Sequence, residues 1–118
     1  MDNPFRCETA LEAGGSICVV LLSGKIDALA AEELQTALRE LLTQGHSRYV
    51  FDLAALDYIG SLGLGVLVAF RNDPRVNGGV VFCNTTPFVR STLQVTKLDK
   101  HFRMYPSRAD AIDAIRTR

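Results

Sequence analysis

Two apolar rhythms run through this chain. Residues 17–22 (ICVVLL) and 80–83 (VVFC) are unbroken apolar runs, the pattern of strands covered on both faces. Residues 5–11 alternate more loosely and meet the first run across EAGGS, which predicts a hairpin turning at Gly14-Gly15. Residues 49–53 (YVFDL) and 102–105 (FRMY) predict two further short strands.

Between these runs the apolar positions shift to helical spacing. Leu34, Ala37, Leu38, Leu41 and Leu42 recur among Glu32, Glu33, Gln35, Arg39 and Glu40. Asp27 is placed to accept hydrogen bonds from the first free N–H groups, and Gly45 to stop the helix, giving about 17 residues. Residues 62–71 (LGLGVLVAFR) fit a strand or a helix by periodicity, and Gly63 and Gly65 weaken either. A strand just before and Ser61 at the start favour a helix with Ser61 as its cap. Pro74 and Asn77-Gly78-Gly79 end it. Thr86-Pro87 opens another helix, through Phe88, Val89 and Leu93. Ser107 and Asp110 have capping-box spacing before Ala111, Ile112 and Ile115. After the hairpin, strands and helices alternate strictly, which argues for an α/β fold with a mixed, mostly parallel sheet of about four to five strands.

A chain of 118 residues fits one compact domain with a core of its own. Lys plus Arg equals Asp plus Glu, 13 each, so charge balance points to neither nucleic acid nor an anionic membrane as a partner. Cys7, Cys18 and Cys83 match no zinc spacing, and the last two lie inside apolar runs, so they read as core residues of a reduced protein. The first residues show no signal-peptide pattern and no apolar run reaches membrane length, so a cytoplasmic location is expected.

His46 and His101 stand apart in polar surroundings, with no metal-ligand set beside them. Asp52 and Asp57 flank a predicted strand end, a weak basis for a carboxylate-pair enzyme. GSLGLG has the spacing GxxGxG rather than GxGxxG and lacks a following Lys-Ser/Thr, which argues against a nucleotide loop. That leaves Ser61, the one hydroxyl at the head of a glycine-rich apolar segment. A phosphate there would add about −1.5 to −2 charges, at a helix end that tolerates them.

Four segments in order resemble the STAS domain of bacterial anti-sigma-factor antagonists. Leu22-Ser23-Gly24-Lys25-Ile26-Asp27 is similar to the family's L-x-G-x-[LI]-D turn. Phe51-Asp52-Leu53, followed by Ile59-Gly60-Ser61-Leu62-Gly63-Leu64-Gly65-Val66, resembles its D-L…D-S-S/T-G-L-G-V segment. Gly78-Gly79 before VVFC and Thr86-Pro87-Phe88-Val89 resemble its next strand and helix start. Gly60 stands where the family has an acid and Leu62 where it has a second hydroxyl.

The resemblance implies a non-enzymatic binding protein that needs no cofactor or metal. Its partners would be an anti-sigma factor with serine kinase activity, bound in the unphosphorylated state, and a PP2C-type phosphatase. Ser61 would accept the phosphate, with Asp27, Gly60, Leu62 and Gly63 as partner contacts around it. The resemblance leaves open whether the chain pairs as a homodimer. The alternative is a constitutive STAS subunit of a larger assembly, such as a lipid-transport ABC complex or a stress-signalling scaffold, with no phosphorylation.

Overall fold

A computed structural model describes residues 4–116. Five strands form one sheet in the order β1-β2-β3-β4-β5: Arg6–Glu12, Ile17–Ile26, Arg48–Ile59, Gly79–Cys83 and Arg103–Tyr105. β1 and β2 pair antiparallel across the expected hairpin, and the other neighbours are parallel. The helices are α1 (Ala28–Thr43), α2 (Ser61–Arg71), α3 (Pro87–Val95) and α4 (Arg108–Arg116). The expected α/β architecture and element order are present.

The period-two pattern of the strands divides the core. In β2, Cys18, Val20 and Leu22 face one side, together with α1, α2 and α3. Ile17 and Val19 face the other, with Ala111 and Ile115 of α4. That is why residues 17–22 of β2 read as an unbroken apolar run: both faces are covered there. On the three-helix side Tyr49, Phe70, Phe51, Phe82 and Phe102 form a chain of ring contacts 4.4–5.9 Å apart. Such contacts add about 0.5–1.5 kcal/mol per pair beyond area burial. The Tyr49 hydroxyl donates to the His46 carbonyl at 2.8 Å.

Two strands run longer than the apolar pattern indicates. β2 continues to Ile26 rather than Leu22, and β3 continues to Ile59 rather than Leu53. Their pairing carries register shifts between Leu21 and Ser23 and between Gly24 and Lys25. Each shift places an extra residue in β3, whose alternation then loses phase, whereas β2 keeps its alternation to Ile26 with the polar Ser23 and Lys25 on its other face. The consequence is functional: Ile26 and Ile59 are the last paired residues, so α1 and α2 start abreast.

Candidate functional site

Asp27 caps α1, its carboxylate accepting from the Ala30 N–H at 2.9 Å. One strand over, the Gly60 N–H donates to the Ile26 carbonyl at 3.0 Å, and Leu64 donates to the Gly60 carbonyl at 3.0 Å. Gly60 therefore holds the cap position of α2, in extended backbone. This corrects the expectation that Ser61 is the cap. Because β3 runs to Ile59, Gly60 alone makes the strand-to-helix turn, and Ser61 is the first helical residue. Its exposed side chain makes no hydrogen bond among the described residues. A first-position hydroxyl satisfies no orphan donor of the opening turn, so the end of α2 stays electropositive.

Leu62 follows, 61% exposed, and Leu29 of α1 is 67% exposed. They border a groove of about 670 Å³ between α1 and α2, whose wall also includes Ser61, Gly65, Val66 and Glu32. The structure thus brings Asp27, Gly60, Ser61, Leu62 and Gly63 to one end of the sheet, at the C-terminal ends of β2 and β3.

The two glycines of α2 differ in kind. A Cβ on Gly63 would come 2.6 Å from Ile26 Cγ2 and 2.9 Å from Ile59 Cγ1. Gly63 is buried and lets α2 lie close on the strand ends. A Cβ on Gly65 would meet nothing within 4 Å. Gly65 is exposed, mid-helix and in the groove wall, where glycine costs about 1 kcal/mol relative to alanine. The fold gives no packing reason for it.

Sequence reasoning missed an aromatic pair beside this turn. Tyr58 and Phe88 are both exposed, with ring centroids 5.7 Å apart. The Tyr58 hydroxyl lies 3.1 Å from the point a Cβ on Gly60 would occupy. The available signal was two aromatic residues next to turn positions, but only the β3 extension brings Tyr58 to the edge.

Asp52 and Asp57 do not form a catalytic pair. Asp52 is 7% exposed. One of its oxygens accepts from the Ala54 N–H and Asn84 Nδ2, the other from Arg108 Nε and Nη2 at 3.1 and 3.0 Å. It ties the start of α4 to β3 and β4, while Asp57 is exposed five residues on. No cluster of metal-ligating groups occurs among the described residues. Burial pushes the Cys7 thiol up to about 11 and the Cys83 thiol up to about 12. Cys18 and Cys83 are buried, as expected of core residues.

The STAS domain model matches residues 8–111. The chain is 30% identical to the anti-sigma-F factor antagonist RsfB of Mycobacterium tuberculosis, over 98% of this chain and 95% of that one. The chain belongs to the STAS family, among the anti-sigma factor antagonists. A crystal structure of an anti-sigma factor antagonist from Mycobacterium paratuberculosis superposes with a TM-score of 0.78 at 31% identity, covering 94% of this chain and 95% of that one. A STAS domain protein from Planctomyces limnophilus shares the fold, with a TM-score of 0.74 at 21% identity over 92% and 96% of the two chains. Antagonists of this family are binding proteins rather than enzymes, so surface matters here more than acid–base chemistry. No helix among the described residues is long and apolar enough to cross a membrane.

Proposed function

We propose that the chain is a partner-switching antagonist whose Ser61 accepts a phosphate from an anti-sigma factor with serine kinase activity. Unphosphorylated, it binds that anti-sigma factor; phosphorylated, it is released, and a PP2C-type phosphatase restores it. The observation that carries this reading is an exposed, uncommitted hydroxyl at the first position of α2, on the lip of an apolar groove.

The electrostatics support a switch that leaves the fold intact. A phosphate on Ser61 adds about −1.5 to −2 charges. The free N–H groups of the opening turn favour that charge by about 0.3–1 kcal/mol. A partner seated over Leu62 and Leu29 must instead desolvate a dianion or meet it with like charge, at several kcal/mol. Each ~1.4 kcal/mol is a factor of ten in affinity. Asp27 and Gly60 flank the hydroxyl, Leu62 supplies apolar contact, and Gly63 acts from below by setting the height of the helix.

The test is to incubate the protein with its cognate kinase and ATP, map the phosphate by mass spectrometry, and measure binding before and after. Label on Ser61, lost in Ser61→Ala, with released partner, is the expected result. Gly60 and Leu62, in place of the family's acid and second hydroxyl, favour the second reading, a constitutive subunit of a larger assembly. That reading requires no label on Ser61 and co-purification with a transport ATPase or scaffold.

A further inference from the structure

The neutral net charge hides an uneven distribution. Residues 8–40 hold six acids and two Lys/Arg, whereas residues 74–109 hold one acid, Asp99, and six Lys/Arg. The fold concentrates part of that excess in one place. A groove of about 760 Å³ lies where α2 ends and β4 and β5 begin. This is the opposite end of the parallel strands from Ser61. Arg71, Lys100, His101 and Arg103 line it, with Asp99 as its one carboxylate.

Arg71, Lys100 and Arg103 form no ion pair among the described residues, and neither does Asp99. Arg71 rests against a buried ring. Its guanidinium lies 5.9 Å above the Phe102 ring, and Phe102 is buried and stacked on Phe82 with centroids 4.4 Å apart. Arg71 Nη1 donates to Asn72 Oδ1 at 3.4 Å, leaving most of its donors open. A guanidinium over a ring face keeps its N–H edge available to an oxyanion. Asn77 adds an amide to the same wall.

We propose that this groove binds a small molecule carrying phosphate groups. Planar guanidinium donors match phosphate oxygens two at a time, which a carboxylate-poor, cation-rich wall then reinforces. The volume lies within the range of small-molecule sites. The site is separate from the Ser61 surface and does not depend on the switching reading.

Pyrophosphate is the probe. Amide spectra of the full chain are recorded at constant ionic strength as pyrophosphate is added. Saturable shifts confined to Asn77 and residues 99–103 are expected. Arg71→Gln with Arg103→Gln should weaken binding at least tenfold. Asp99→Asn removes the repelling carboxylate and should tighten it several-fold, a gain that a damaged fold would not produce. Shifts that do not saturate, or that sodium chloride reproduces, overturn the proposal. So does unchanged affinity in the Arg71/Arg103 variant. An Asp/Glu-rich peptide that moves the same resonances at lower concentration than pyrophosphate overturns the phosphate assignment.

Discussion

The backbone N–H of Gly60 donates to the carbonyl of Ile26 at 3.0 Å. That one bond joins the last paired residues of two parallel strands to the turns that follow them. It aligns Asp27 at the start of α1 with Ser61 at the start of α2, and so builds the edge on which the proposed switch would act.

Because Gly60 and not Ser61 caps α2, replacing Ser61 should barely change stability. Ser61→Ala is expected within about 0.5 kcal/mol of the parent in urea unfolding, against about 1 kcal/mol for loss of a true cap. Asp27→Ala supplies that comparison, since Asp27 does cap α1. On the binding side, Ser61→Glu should weaken the anti-sigma partner at least tenfold while Ser61→Ala retains it. A Ser61→Glu protein that binds as tightly as the parent would exclude the charge mechanism.

The two glycines of α2 should respond to alanine with opposite signs. Gly63→Ala forces a methyl into Ile26 and Ile59, and overpacking of this kind costs about 1–3 kcal/mol. Gly65→Ala meets open space and should stabilise by up to about 1 kcal/mol through helix propensity. The same methyl makes the groove shallower, so Gly65→Ala should weaken partner binding while raising the unfolding midpoint. Thermal melts and titration calorimetry on the two variants separate the effects.

Asp52 should matter for stability rather than for turnover. Asp52→Ala strands the donors of Arg108, Asn84 and Ala54, and a loss of about 2–3 kcal/mol is expected. Arg108 is itself partly exposed, and Asp52 keeps the Ala54 and Asn84 donors without it, so Arg108→Ala should cost less. Chemical denaturation of both variants checks the order.

The thiols impose an alkaline limit. An unfolded chain ionises them near 9.0, whereas the folded chain keeps Cys7 protonated to about 11 and Cys83 to about 12, in both cases chiefly through burial. Between those values the folded state holds more protons. The stability this confers is complete below about pH 9 and is lost as pH rises toward 11 and 12. Urea midpoints should fall steadily over that window. A replacement of Cys83 by alanine should flatten part of the slope. At pH 8 thiol-specific labelling of Cys18 and Cys83 should be no faster than unfolding.

Local pattern and elementary capping chemistry determined much of this protein. The apolar runs specified central strands, the 3.6-residue rhythm gave α1, and Asp27 and Thr86 are the caps their side chains indicate. These depend on residues a few positions apart, so the linear order carries them. Tertiary structure alone decided the rest. The pairing of β2 with β3 continues past their apolar runs to Ile26 and Ile59, which put the cap at Gly60 rather than Ser61 and carried Tyr58 to the edge. The Asp52–Arg108 pair and the Arg71–Phe102 contact join residues distant in the chain, and only the packing of α4 and α2 against the sheet brings them together. Pairing register and long-range charge contacts are properties of neighbours in space, and no window along the sequence contains both partners.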